Sequence, residues 1–378
     1  MSKTLQRWMA DLARLTRTDR LLTRARSVQR TLGHYLAPLN PPPPPAHEPD
    51  GGATHAPPTA PIPRRPIPAS TEGVTLTGQH SAAGLTRNYL LYLPPTADPH
   101  VAPATSWPLV VMLHGCTQDP ADFALGTGMS ALAREHGFAV LYPAQAPEAH
   151  PQRCWNWYKH SHQQRGRGEA EVLADMTRTV VAAYGLDTRR VYVAGMSAGG
   201  AMAAILGEAY PELYAAVGIH SGLASGAASN LIAALAIMKA GPRTPTQPPR
   251  PPRQGARGTA QAAARAPARP TIVFHGDNDT VVHPGNGVQA ISAALTMPLG
   301  TAVQTSVQQG VSAGGRHYTR TIYACGEDTA CQAEHWVVHE GGHAWSGGQP
   351  TGSHTDPSGP DASRTMWHFF KCHAQPAV

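Results

Sequence analysis

The chain has 378 residues, enough for one large α/β domain with additions or for about two to three smaller domains. Hydrophobic residues make up 41% of it and charged residues 14%, which excludes a wholly disordered protein. The net charge of +6 is local, because residues 1–37 and 241–270 carry +6 each and the remainder sums to −6. An acidic remainder argues against a nucleic-acid-binding fold.

The N-terminal 70 residues form two segments of unusual composition. Residues 3–36 repeat apolar side chains at three- and four-residue steps opposite a face of arginines, which predicts a basic amphipathic helix within segment 1–37. Such a helix can dock on the main domain or on a second copy, or it can anchor the protein to a lipid surface or a hydrophobic inclusion. Residues 38–70 are a proline-rich linker, with 13 prolines in 38–68. No secretory signal or membrane-spanning stretch is visible, so we expect a cytoplasmic or granule-associated protein.

Residues 71–378 alternate between apolar strand patterns and helical patterns. Strands are predicted at 87–94, 108–115, 138–143, 191–195, 215–222, 271–276 and 335–341, and helices at 121–136, 168–184, 198–210, 286–295 and 360–372. This order predicts a mostly parallel sheet with helices on both faces. A tract of proline and arginine at 241–270 interrupts the pattern, and we interpret it as a disordered surface insertion.

The sequence around Ser197 is typical of a nucleophilic serine. Residues 195–199 read G-M-S-A-G and lie between a predicted strand and a predicted helix, which is the context that the G-x-S-x-G motif requires. The turn between them is sharp, so its flanking residues must be small. The N–H groups at the start of the helix also favour negative charge that develops beside the serine.

A serine nucleophile needs a base, and the base needs an acid to orient it. Asp277 and Asp279 follow the strand at 271–276, and we prefer Asp279 because it lies farther past the strand end. His339 and His343 follow the last strand, and we prefer His343 because two glycines place it on a loop. The resulting chain order, Ser197 then Asp279 then His343, is that of α/β-hydrolases.

Residues 339–343 also read H-E-G-G-H, which matches the H-E-x-x-H zinc motif. That motif binds zinc only on a helix, where the two histidines share a face. A strand pattern precedes this segment and two glycines occupy its middle, so no helix is expected. We therefore predict no metal site and no cofactor.

Two backbone N–H groups should stabilise the oxyanion: that of Ala198 after the nucleophile, and that of Cys116 after the strand at 108–115. The Cys116 thiol can pack or pair with Cys154. A Cys325–Cys331 bridge also remains open.

Aromatic side chains cluster near these loops. Trp155 and Trp157 lie in a C-W-N-W-Y segment outside any periodic element, and Trp345 follows the presumed base by two residues. They can contact substrate, or they can anchor the loops by packing.

Six segments together resemble the poly(3-hydroxybutyrate) depolymerase-type esterases, which are α/β-hydrolases akin to feruloyl and acetyl-xylan esterases. In chain order they read HGCTQDPADFA, CWNWY, RGRGEA, GMSAGGAMA, HGDNDTVVHP and GGHAWSGG. The resemblance covers about residues 71–373, and it assigns the nucleophile to Ser197, the acid to Asp279 and the base to His343. It also implies that Trp155 and Trp157 line the substrate cleft. Many members are secreted, which makes an extracellular location the alternative.

We therefore expect a serine carboxylic-ester hydrolase acting on short hydroxyacyl esters or polyhydroxybutyrate-type oligomers and polyester. A feruloyl or acetyl-xylan type esterase is the alternative within this class. A catalytically idle protein that binds granules or membranes through residues 1–37 is an alternative of another kind, and a peptidase remains open because the same triad cleaves amides. The expected partner is the ester or polyester substrate, without nucleic acid; the sequence does not predict the oligomeric state.

Overall fold

The computed structural model describes residues 65, 70–95, 106–242, 269–295, 303–325 and 330–376. The predicted helix at 3–36, nearly all of the linker at 38–70 and most of the insertion at 241–270 lie outside the described residues. The domain boundaries therefore stay predictions.

Within the described residues, ten strands form one sheet in the order β1-β2-β4-β3-β5-β6-β7-β10-β9-β8. The strands are β1 (Val74–Ala82), β2 (Leu85–Leu93), β3 (Leu109–Leu113), β4 (Ala139–Pro143), β5 (Val191–Met196), β6 (Ala216–His220), β7 (Thr271–Gly276), β8 (Val303–Val311), β9 (His317–Cys325) and β10 (Ala330–Val338). Six neighbouring strands run parallel, namely β4, β3, β5, β6, β7 and β10. Strands β1 and β2 at one edge and β9 and β8 at the other pair antiparallel. The predicted parallel sheet is confirmed.

Helices follow most of the parallel strands. They are α1 (Pro120–Thr127), α2 (Met129–His136), α3 (Gly168–Tyr184), α4 (Ala198–Ala209), α5 (Leu231–Ala240), α6 (Gly285–Ala294) and α7 (Ala362–Phe370), with a 3-10 turn at His160–His162 and a small strand pair, β11 (Trp345–Ser346) and β12 (Thr355–Asp356). The single helix predicted at 121–136 is wrong, because Gly128 adopts φ 63° and separates α1 from α2. Strands β1, β8 and β9 and helix α5 were not predicted.

The core lies on both faces of the sheet because the central strands are buried throughout. Along β5, Val191 and Val193 pack on the face covered by α3, α4 and α6, whereas Tyr192 and Ala194 pack on the face covered by α1, α2 and α7. Alternate residues of a strand point to opposite faces, so a doubly covered strand must be apolar at every position.

The parallel strands place their carboxyl ends at one edge of the sheet, where ligands of such sheets bind. β3, β5, β7 and β10 end at residues 113, 196, 276 and 338. The segments that begin at residues 114, 197, 277 and 339 therefore start at a common edge. In the described part of the chain, no helix is long and apolar enough to cross a membrane.

Candidate active site

Ser197 occupies a sharp turn between β5 and α4. Its backbone has φ 56° and ψ −119°, a conformation that a non-glycine residue rarely adopts, and its N–H donates to the carbonyl of His220 at 2.9 Å. Close packing around this turn explains its small neighbours. A Cβ atom on Gly199 would overlap the carbonyl oxygen of Leu113 in β3. The backbone therefore agrees with the sharp strand–serine–helix turn that the sequence predicts.

Asp279 lies in the turn that follows β7 and is nearly buried. Its Oδ1 accepts the N–H groups of Val281 and Val282 at 2.8 and 2.9 Å. Burial alone would raise the pKa of Asp279, but the hydrogen bonds from His275 and His343 outweigh it and hold the pKa well below its ordinary value. The carboxylate is therefore ionised and fixed in orientation.

His343 donates from Nδ1 to Oδ2 of Asp279 at 2.6 Å. This bond leaves Nε2 as the acceptor atom of the neutral ring, the tautomer that a general base requires. The two loops approach closely because Gly276 has no side chain; a Cβ there would overlap the carbonyl of Gly341. Within the described residues, no hydrogen bond joins Ser197 Oγ to His343 Nε2, and both atoms are without a hydrogen-bond partner there.

The two predicted oxyanion donors lie beside Ser197. Ala198 is the first residue of α4, so its N–H has no acceptor within the helix. A Cβ on Gly115 would lie 3.7 Å from Cβ of Ser197, which places the loop of Cys116 against the serine. Gln118 holds this loop, because its Oε1 accepts the N–H of Gly115 at 3.0 Å.

A disulfide joins Cys116 to Cys154 across 38 residues and ties the oxyanion loop to the C-W-N-W-Y segment. The Cys116–Cys154 pairing that the sequence left open is thus present, and Cys331 is a free thiol. Trp155 strengthens the connection, because its Nε1 donates to the carbonyl of His114 at 3.1 Å.

The three tryptophans considered as substrate contacts are almost completely buried. Trp155 is 0% exposed, Trp157 5% and Trp345 1%. Trp345 stacks on His220 with ring centroids 4.9 Å apart and donates to Ser363 Oγ at 3.0 Å. This burial favours packing behind the catalytic loops, the other interpretation that the sequence allowed, over direct contact with substrate.

Asp277 and His339, the alternatives to Asp279 and His343, form a hydrogen bond with each other. His339 Nδ1 donates to Asp277 Oδ2 at 2.8 Å, and its Nε2 lies 2.8 Å from the hydroxyl of Thr319. β10 ends at Val338 and no helix includes residues 339–343, as expected for the H-E-G-G-H segment. Among the described residues no group of three or more metal-ligating side chains converges.

Two buried histidines near the triad escaped the sequence interpretation. His275 Nε2 lies 2.9 Å from the carbonyl of Val282 and 3.4 Å from Asp279 Oδ2, on the acid that His343 also contacts. His220 Nε2 accepts the N–H of Ser346 at 2.9 Å. Their only sequence signal was position, since each lies at or next to the carboxyl end of a central parallel strand.

The buried carboxylate of Glu169 holds the loops around Gln145 and Asn156 by hydrogen bonds. Glu169 accepts the backbone and side-chain N–H groups of Asn156 at 2.6 and 2.8 Å, the amide of Gln145 at 2.6 Å and Arg87 Nη2 at 3.2 Å. Burial would raise the pKa of Glu169, but the hydrogen bonds from His162, Gln145 and Asn156 lower it to about 2. The Gln145 N–H in turn donates to His114, at the start of the oxyanion loop.

The chain matches known proteins over this same region. The family model described as esterase PHB depolymerase matches residues 87–309, which include Ser197 and Asp279. Poly(3-hydroxyalkanoate) depolymerase C of Paucimonas lemoignei is 34% identical over 47% of this chain and 42% of its own length. A probable acetylxylan esterase A of Neosartorya fischeri is 34% identical over 32% of this chain and 33% of its own length. The chain therefore spans less than half of either relative.

The fold agrees with these matches. The structure of an acetyl xylan esterase from Aspergillus awamori superposes with a TM-score of 0.54, covering 79% of this chain and 99% of that one at 18% identity. The predicted α/β-hydrolase fold is confirmed. Since the family model covers more than half of the residues, the chain belongs to the esterase PHB depolymerase family.

Proposed function

We propose that this protein hydrolyses carboxylic esters through an acyl-enzyme on Ser197. Ser197 Oγ attacks the ester carbonyl while Nε2 of His343 takes its proton, and Asp279 stabilises the imidazolium that forms. The N–H groups of Cys116 and Ala198 bind the oxyanion. The observation that carries the proposal is the 2.6 Å bond from His343 Nδ1 to the ionised Asp279, at the sheet edge where Ser197 turns.

The second half of the reaction repeats the first with water. His343 gives its proton to the leaving alcohol, then accepts one from water as it attacks the acyl carbonyl, and finally returns it to Ser197. Every step uses side chains or backbone N–H groups of this chain. The proposal therefore includes no metal and no organic cofactor.

For the substrate we propose short hydroxyacyl esters and polyhydroxybutyrate-type oligomers or polyester. Helix α5 supports an apolar substrate: its residues read LIAALAIMKA, yet only Ala234 is buried and Ile232 is 82% exposed. The helix touches the segment after Asp279, since the N–H of His283 donates to the carbonyl of Met238 at 2.8 Å. An exposed apolar surface beside the acid loop suits contact with a water-insoluble polymer.

Paired assays test this substrate class. Ile232→Ser should lower hydrolysis of amorphous polyester particles while leaving turnover of p-nitrophenyl butyrate near the wild-type value. The matched control is Val307→Ser on edge strand β8, where the side chain is 61% exposed, and it should lower neither. Equal rates on polyester for both variants would contradict the role of α5.

Acetylated xylan and feruloyl esters define the second candidate, favoured by the relatives that are acetylxylan esterases. Rates on hydroxybutyrate oligomers, acetylated xylan, feruloyl esters and a peptide panel separate these candidates and the peptidase alternative. The idle binding protein is tested by Ser197→Ala, because wild-type turnover no faster than that of the variant would favour binding over catalysis.

The disulfide bears on the location. Stable disulfides form in oxidising compartments, so the Cys116–Cys154 bond favours the extracellular alternative over a cytoplasmic or granule-associated protein. Contact of residues 1–37 with a granule or membrane stays a proposal. Deleting them should preserve soluble-ester turnover and lower recovery on granules; unchanged recovery would count against that contact.

A further inference from the structure

The loop that carries the base has little intrinsic rigidity. Gly341 and Gly342 directly precede His343, and the Cβ position of Gly342 has no neighbouring atom within 4 Å. Glycine leaves the backbone many accessible conformations, so the position of His343 depends on contacts at the ends of its loop. Upstream, His339 bonds to Asp277 and the N–H of Glu340 donates to the same carboxylate at 2.6 Å.

Downstream, the chain is held by Trp345, whose N–H donates to the carbonyl of His354 at 2.7 Å, and by His220, a residue outside the predicted triad. Its Nε2 accepts the N–H of Ser346, three residues after the base, at 2.9 Å. The ring lies parallel to both Phe274 and Trp345, with centroids 5.8 and 4.9 Å away and interplanar angles of 12° and 24°. These contacts leave the imidazole little freedom to rotate.

His220 remains neutral, as an acceptor nitrogen requires. Burial lowers its pKa to about 3, and its Nδ1 lies 3.2 Å from Ser221 Oγ, which can accept the ring proton. The same residue also contacts the nucleophile, because its carbonyl oxygen accepts the N–H of Ser197 at 2.9 Å. One residue at the end of β6 thus bonds both to the turn of the nucleophile and to the loop of the base.

We propose that His220 is a positioning residue: its Nε2 fixes Ser346, and through it His343, at the distance from Ser197 that proton transfer requires. The inference rests on the ester-hydrolase function proposed above. A positioning role and a packing role require different properties of the side chain at 220. Positioning needs the acceptor nitrogen, whereas packing between Phe274 and Trp345 needs only an aromatic ring.

Two variants of His220 separate these roles. His220→Phe keeps an aromatic ring and loses the acceptor, whereas His220→Gln loses the ring and can place its amide oxygen near the position of Nε2. If His220 positions the loop, His220→Phe lowers kcat on p-nitrophenyl butyrate by about 10- to 100-fold with little change in KM, and His220→Gln recovers most of it. The reverse order of activities would overturn the proposal.

A second measurement does not depend on activity. Hydrogen exchange at the Ser346 amide should quicken strongly in His220→Phe and remain slow in His220→Gln, with thermal unfolding followed to show that both variants are folded. Unchanged protection of this amide in folded His220→Phe would refute the inference even if wild type proved inactive. Wild type no more active than Ser197→Ala, with the exchange result as expected, would refute only the ester-hydrolase function.

Discussion

Replacing Asp279 by asparagine changes one oxygen to an amide nitrogen at nearly constant volume. The carbonyl oxygen of the new amide must stay on the N–H groups of Val281 and Val282, because both already donate to Oδ1 at 2.8 and 2.9 Å. The NH2 group then faces Nδ1 of His343, which lies 2.6 Å from Oδ2 of the native carboxylate. Two donors cannot share one hydrogen bond, so the ring proton must move from Nδ1 to Nε2.

That tautomer has no lone pair directed at Ser197 and cannot act as the base. We expect Asp279→Asn to lower kcat by about 10⁴-fold, the cost of a wrong tautomer in a serine triad. At about 1.36 kcal/mol per factor of ten, this is a barrier increase of about 5.4 kcal/mol. KM should change little because Asp279 contacts the base and has no direct role in binding the ester.

Asp277→Asn is the matched control, since it makes the same chemical change in the neighbouring His339 pair. That pair is 42% and 39% exposed, and the amide oxygen of the variant can still accept the N–H of Glu340, so the upstream end of the base loop stays anchored and kcat should fall by no more than about fivefold. Both variants are assayed for kcat and KM on p-nitrophenyl butyrate. An Asp279→Asn enzyme within about tenfold of wild type, or an Asp277→Asn enzyme that falls further, would refute the assignment of the acid.

Three other predictions follow from the contacts around the site. Replacing Cys116 and Cys154 together by serine should lower the free energy of unfolding by about 4 kcal/mol, because the unfolded chain regains the entropy that closing a 38-residue loop removes. Urea denaturation with and without reductant measures this loss, and a value below about 1 kcal/mol would contradict the prediction. Glu169→Gln should flatten the dependence of the free energy of unfolding on pH between about pH 5 and pH 2. A carboxylate whose pKa is lowered in the folded protein contributes stability above its unfolded pKa and loses it as pH falls, here about 3 kcal/mol. Parallel curves of unfolding free energy against pH for wild type and variant would refute this prediction. Gly199→Ala should remove labelling of Ser197 by a fluorophosphonate, because the new Cβ overlaps the carbonyl of Leu113; normal labelling would show that α4 can shift without cost.

The buried parts of the fold were predictable because burial on both faces leaves a continuous apolar sequence. Strand β7 has the predicted bounds for this reason, and helix α3 has them because its buried side chains recur at helical steps before Gly185 ends it. Strand β8 lies at the sheet edge with eight of its nine residues exposed, so its VQTSVQQGV sequence has no burial pattern to detect. Helix α5 is apolar at nine of its ten positions, LIAALAIMKA, so its sequence has no alternation of apolar and polar faces for periodicity to detect.

The geometry of the candidate site could be predicted where a motif fixes the backbone, and less well where packing between distant residues decides it. The preference for Asp279 over Asp277 came from its distance past the strand end, and that for His343 over His339 from the two glycines that place it on a loop. The structure pairs Asp279 with His343 and Asp277 with His339. Burial of Trp345 could not be predicted, because nothing in its loop sequence shows that His220 stacks against it. Such contacts join residues far apart in the chain.

The most direct test of the account is the site of acylation during turnover. Wild-type protein quenched in acid while hydrolysing p-nitrophenyl butyrate should carry one butyryl group, which peptide mass spectrometry should locate on Ser197. Ser197→Ala should carry none and should not turn over the ester above background. Acylation at another residue, or sustained turnover by Ser197→Ala, would contradict the central claim.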